Sequence, residues 1–170
     1  ENGALDGGKV GGMADVIRDV PVYLSKIDFK VDVVTPSYGF LHTKNRAQFV
    51  TSFSFYFRNR LENATLYKVD SKTKNVNYFL IDHKDFYTGD GVIYSYDPEN
   101  RPFATDATKF AIFCTAVAEL IKIKNFNPDI IHLHDWHTTF LIILLKYHKI
   151  YKKIKDTKIV FTIHNLALQG

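Results

Sequence analysis

The sequence predicts an α/β domain built on a doubly wound, mostly parallel sheet with an antiparallel insert. Three patterns lead there. A glycine-rich loop runs into an apolar-periodic helix near the start of the chain. Phe49, Thr51, Phe53, Phe55 and Phe57 alternate along one strand face. A strand, a helix and a second strand follow one another over 129–163, the mark of a βαβ unit.

Taken in order, Met13, Val16, Ile17, Val20 and Leu24 fall at helical spacing over 13–26, and Pro21 is expected to kink or divide that helix. A β-branched strand over 30–35 ends at Pro36. The strand at 49–57 and two more near 64–70 and 76–82 form the antiparallel insert. Residues 83–103 are a loop rich in Tyr, Asp and Gly. Helical periodicity returns over 105–124 through Phe110, Phe113, Val117 and Ile121, followed by a strand at 129–133, a helix at 138–153 and a buried strand at 158–163.

Composition narrows the function classes. The 170 residues are 46% hydrophobic and 15% aromatic, which excludes a disordered chain. The net charge of +4 is spread thinly, so no nucleic-acid partner is expected. The lysines of 146–155 read as a solvated helix end. No apolar run is long enough to span a bilayer and no signal peptide is visible, so no membrane partner is expected. Cys114 is the only cysteine, sits in an apolar helical pattern and reads as a core residue in a reducing compartment. Both ends fall in loops, so the chain reads as a slice of a larger protein.

In doubly wound sheets ligands bind beyond the carboxyl ends of strands. Three polar clusters are expected at such ends, lining one crevice. The first is Lys9-Val10-Gly11-Gly12 ahead of the first helix, where uncovered N–H groups, the helix dipole and the Lys9 ammonium make a receptor for a phosphate. Gly11 and Gly12 have a second explanation, a tight turn with close helix–sheet packing. Gly3 to Lys9 imitates a P-loop, but Val10 replaces the magnesium-binding Ser or Thr and two more glycines delay the helix. The second cluster is His132-Leu133-His134-Asp135-Trp136-His137. Its imidazoles and carboxylate suit zinc, although the spacing departs from H-x-H-x-D-H hydrolases. The other readings are a core histidine at His132, an acceptor of sugar hydroxyl protons at Asp135 and an apolar ring platform at Trp136. The third cluster is His164-Asn165 after the last strand.

Together these segments resemble a known family. Lys9-Val10-Gly11-Gly12-Met13-Ala14-Asp15-Val16 resembles the K-x-G-G-L-A-D-V signature of bacterial glycogen synthases and plant starch synthases. Residues 128–137 are similar to their P-D-[IV]-[IV]-H-x-H-D-W-[HQ], and residues 161–170 to their F-T-[IV]-H-N-L-A-Y-Q-G. Leu168 stands where the family has a tyrosine, and the loop before Lys9 is longer and richer in glycine.

The resemblance implies two Rossmann-like domains in the GT-B arrangement. Residues 1–170 would be part of the N-terminal, acceptor-side domain, with its first strand and the C-terminal nucleotide-binding domain outside the chain. It implies a retaining glucosyltransferase that moves glucose from ADP-glucose to the non-reducing end of an α-1,4-glucan, without a metal or other cofactor. Lys9, Gly11, Gly12, Asp15 and Asn165 would contact the donor, and His164 would lie beside the transferred glucosyl group. Lys9 and His164 would be the catalytic residues. Asp135, Trp136, His137 and Tyr94 would line the glucan side. The fragment alone is expected to be inactive, and the expected location is the bacterial cytoplasm or a plastid. Two other readings remain open: a metal-dependent hydrolase using His132, His134, Asp135 and His137, and a non-catalytic glucan-binding module.

Overall fold

The computed structural model describes residues 1–89, 91–99, 103–123, 128–151, 154 and 157–167. Leu168 and the lysines at 152, 153 and 155 lie outside the described residues. The chain divides into two compact units, Glu1–Phe53 with Asn63–Tyr94, and Ser54–Glu62 with Ser95–Gly170.

The first unit opens with helix α1 (Gly12–Lys26). Pro21 neither kinks it apart nor ends it: the helix runs through, with Pro21 buried in it. The proline removes one intrahelical bond, and burying its ring offsets part of that loss. Strand β1 (Val31–Pro36) carries Pro36 as its last residue. A single helical turn, α2 (Leu41–Lys44), leads to β2 (Gln48–Phe57), β3 (Arg60–Val69) and β4 (Val76–Asp82), the β2–β3 tip over Ser54–Glu62 being counted with the second unit. The sheet order is β1-β4-β3-β2. β4 pairs parallel with β1 from Val31↔Val76 to Pro36↔Ile81, and antiparallel with β3. The antiparallel insert is therefore the β2–β3 hairpin, and β4 joins it to the parallel part.

The hairpin turns on Arg58 and Asn59, both at positive φ (48° and 60°), as a two-residue turn between twisted strands requires. Along β2 only Phe53 and Phe55 are buried, whereas Phe49 is exposed and meets Tyr67 edge-on. The alternation is correct, but the strand's outer end extends past the core. The core of this unit gathers Tyr38, Leu41, Leu66, Leu80, Ile81 and Phe86. Each such side chain contributes about 2 kcal/mol by leaving water.

The second unit is built on α3 (Ala104–Ile123), α4 (Trp136–Tyr147) and the parallel pair β5 (Ile130–His134) and β6 (Lys158–Thr162). α3 is apolar on nearly every side and is correspondingly buried, from Phe110 to Leu120. Within it the Cys114 thiol is buried, and burial pushes it up to about 12, so it is inert packing as expected. Helix α4 is shorter than the periodicity suggests. It stops at Tyr147 and gives way to a 3-10 turn, Lys149–Tyr151. Val160 and Phe161, expected in a buried strand, are exposed. A parallel strand is buried only when both faces are covered, and β6 pairs with β5 alone among the described residues.

Candidate functional site

The sequence-predicted residues fall in two groups, one in each unit. In the first unit the opening loop is a closed knot. The Asn2 N–H donates to the Gly8 carbonyl at 2.8 Å and the Gly3 N–H to the Ala14 carbonyl at 2.9 Å. The buried Asn2 amide donates to Thr35 Oγ1 at 3.2 Å, tying the loop to the end of β1. This closeness demands glycine. A Cβ at Gly3 would stand 2.6 Å from the Ala14 carbonyl oxygen, and one at Gly8 2.3 Å from that of Asn2. A Cβ at Gly12 would meet nothing within 4 Å. Packing thus accounts for Gly3 and Gly8, the two glycines of the P-loop imitation, and gives no reason for Gly12. Helix α1 starts at Gly12, beyond Lys9, which ends the P-loop reading.

The open anion receptor expected at this loop is filled by the chain's own groups. The Gly11 N–H donates to Glu1 Oε2 at 2.6 Å, and the Val10 N–H donates to the same oxygen at 3.3 Å. Lys9 Nζ donates to both Asp15 carboxylate oxygens at 2.8 Å. A carboxylate belongs at the start of a helix for the reason a phosphate does, because the partial positive charge there attracts it. The Lys9 hydrogen bond holds the Asp15 carboxyl below the usual range. Tyr94 Oη donates to Glu1 Oε1 at 2.8 Å, so Glu1 joins Tyr94 to the glycine loop. Glu1 is a site residue that sequence reasoning missed. Its signal was a carboxylate upstream of a helix start, but the knot that brings it back is not legible in spacing.

In the second unit β5 ends at His134, and the chain turns at Asp135 into α4. Asp135 has φ 54° and ψ −177°, backbone that is almost reserved for glycine and costs about 1–3 kcal/mol. Its surroundings hold it there. The Asp135 N–H donates to the Thr162 carbonyl at 2.9 Å, and the buried carboxylate accepts the His164 N–H at 2.6 Å. Thr138 Oγ1 donates to the His134 carbonyl and accepts the His134 N–H, both within 3.0 Å. His164 and Asn165 are exposed, and Asn165 Oδ1 accepts the Ala167 N–H at 2.8 Å.

The imidazoles of this unit form a row. The His132 and His134 ring centroids are 4.2 Å apart, and His134 Nδ1 lies 3.0 Å from His164 Nε2. His132 is not a core histidine. It is exposed, and its Nε2 lies 2.7 Å from Thr162 Oγ1. Residues two apart on a strand share one face, which is how His132 and His134 come together. Burial, reinforced by the neighbouring His132 and His164, pushes the His134 ring down to about 4. His137 belongs to a different cluster. It stacks on Trp136 at 4.4 Å and meets Phe110 edge-on at 4.7 Å. Among the described residues no three His, Cys, Asp or Glu side chains are gathered as metal ligands. The hydrolase reading therefore lacks its ligand geometry. The structure thus brings Asp135 and His164 together, packs Trp136 on His137, and places Lys9, Gly11, Asp15 and Tyr94 around the glycine loop.

Residues 4–170 match the family described as the starch synthase catalytic domain. The chain belongs to this family. Starch synthase family relatives include the glycogen synthase of Hydrogenobaculum sp., 34% identical over 163 residues that cover 95% of this chain and 32% of the relative. That of Clostridium kluyveri is 35% identical over 165 residues, covering 95% of this chain and 33% of the relative. The chain spans about a third of the length of these curated relatives. The fold matches the catalytic domain of starch synthase IV from Arabidopsis thaliana, solved with ADP and acarbose. The TM-score is 0.78 at 24% identity, over 97% of this chain and 32% of that one. Among the described residues no helix is long and apolar enough to cross a membrane.

Proposed function

We propose that the protein carrying this chain is a retaining glucosyltransferase that transfers glucose from ADP-glucose to the non-reducing end of an α-1,4-glucan. Residues 1–170 form part of its acceptor-side Rossmann-like domain, and a nucleotide-binding domain completes the GT-B enzyme. The observation that carries this reading is the family match across residues 4–170. The glycogen synthase relatives and the ADP-bound starch synthase IV support the donor and acceptor chemistry.

Breaking a glycosyl phosphate bond builds negative charge on the leaving phosphate and positive charge on the sugar. Lys9 and the start of α1 stabilise the first once the phosphate displaces the Glu1 carboxylate from the Val10 and Gly11 N–H groups. Lys9 is held by Asp15 in an exposed ion pair, which contributes little and is readily exchanged for a phosphate. The empty space at the Gly12 Cβ position lets a donor approach the backbone, with Gly11 and Asp15 beside it. His164 and Asn165 lie at the glucosyl group; Asp135, Trp136, His137 and Tyr94 serve the glucan side. The Asp135 carboxylate already holds the His164 amide, and no other carboxylate is assigned to the anomeric carbon. We take the acceptor hydroxyl to attack from the front face, a course that needs no covalent glycosyl-enzyme. The mechanism is drawn without a metal or another cofactor, and the proposed location is the bacterial cytoplasm, with a plastid as the alternative.

The test is transfer of labelled glucose to glycogen by the full-length protein, with ADP-glucose and UDP-glucose compared and chelator present or absent. Chelator-resistant elongation from ADP-glucose is expected, falling about a hundredfold in Lys9→Ala. No elongation with either donor overturns the reading.

A further inference from the structure

The transferase reading uses His164 and leaves His132 and His134 without a task, yet the three rings are physically connected. His164 is fixed at two points. Its backbone N–H enters the Asp135 carboxylate at 2.6 Å, and its ring Nε2 faces His134 Nδ1 at 3.0 Å. The two rings lie within 14° of parallel. His134 is itself restrained. Its backbone N–H donates to Thr138 Oγ1 at 2.9 Å, and its ring lies against that of His132. His132 in turn reaches Thr162, whose Cα pairs with that of His134 in the β5–β6 register. The row thus runs from His164, two residues beyond the end of β6, through both histidines of β5 and back to Thr162, the last residue of β6.

We infer that His134 is a positioning residue that fixes the ring orientation of His164 and ties its tautomer to its own through the Nδ1···Nε2 hydrogen bond, so that His164 presents Nδ1 to the glucosyl group in a single orientation. Two imidazole nitrogens at this distance share one proton. Whichever nitrogen carries it, the opposite nitrogen of His164 is determined, because a neutral ring has one donor and one acceptor. Burial keeps the His134 ring neutral at pH 7, which prevents it from donating at both nitrogens. Without His134, an exposed ring at the tip of a strand is free to rotate and to exchange tautomers. The inference rests on the transferase reading for its consequence, but the arrangement of the rings is independent of it.

The experiment uses the full-length protein labelled with ¹⁵N-histidine, and reads the two ring nitrogens of His164 alongside transferase kinetics. In the unsubstituted protein the two nitrogen signals are widely split, as a single tautomer requires. In His134→Phe the splitting narrows and kcat falls about tenfold, while the glucan KM stays within about twofold. His134→Asn keeps an amide group near the Nδ1 position and recovers most of both. Unchanged splitting in His134→Phe overturns the inference, as does a His134→Asn protein impaired as much as His134→Phe. If the unsubstituted protein transfers no glucose, the transferase reading fails. The nitrogen splitting, which needs no substrate, still decides whether His134 positions His164.

Discussion

Lys109 and Asp106 form an ion pair inside α3, with Nζ 2.6 Å from Oδ1 and side chains only 1% and 2% exposed. The Asp106 carboxylate also accepts the Ser95 N–H, at 3.0 Å and 3.2 Å to its two oxygens. At an effective dielectric of about 20 the attraction at this distance is about 6 kcal/mol. Desolvating each ion costs several kcal/mol, so the intact pair is close to neutral overall. Removing one partner is different, because it leaves a charge buried without its counter-ion. Lys109→Met should therefore cost about 3–5 kcal/mol, and adding Asp106→Asn should restore most of that loss. Urea unfolding of the single and double variants reads both numbers. A Lys109→Met protein within about 1 kcal/mol of the parent, or a double variant no more stable than the single, would refute the argument.

Two further outcomes follow from the site geometry. The His134 ring falls from the ordinary 6.5 to about 4 in the folded chain, so between those values the unfolded state binds the extra proton. Its stability contribution is complete above pH 6.5 and is lost as pH falls through 4; it is about 1–2 kcal/mol once solvent screening of a partly exposed ring is allowed for. Urea titrations from pH 7 to 4 should show a shallower decline in His134→Asn than in the parent, and equal slopes would contradict this assignment. Gly8→Ala should destabilise the opening loop by at least about 2 kcal/mol because its Cβ meets backbone, whereas Gly12→Ala should fold normally and raise the donor KM. Thermal melts with donor saturation curves separate the two, and equal melting losses would undo the distinction.

The second unit was largely legible in the sequence. Ile130 to Leu133 and Ile159 to Thr162 are short, mostly apolar runs followed by polar residues, and a helical pattern between them leaves parallel pairing as the natural solution. The roles inside the His132–His137 segment were less accessible. The sequence shows six adjacent residues, but not that His134 turns to His164 while His137 turns to Trp136 and Phe110. The turn at Asp135 makes that division, and a positive φ on an aspartate leaves no trace in periodicity. In the first unit the glycine loop was visible but its occupant was not. Glu1 reaches Gly11 through a knot closed by Asn2, Gly3 and Gly8, whose close backbone approach needs the glycines but does not show in their spacing. The same limit applies to β6: its apolar composition predicted burial, whereas exposure depends on what lies beside the strand.

The aspartate at position 135 sets a strained main chain against the hydrogen bond it makes. A glycine there would relax the main chain, yet it would unhook the amide of residue 164 and remove the only carboxylate beside it in this unit's described hydrogen-bond network, a loss of about the same size. Alanine, with neither the freedom of glycine nor the carboxylate, is therefore the exchange this tip should bear least.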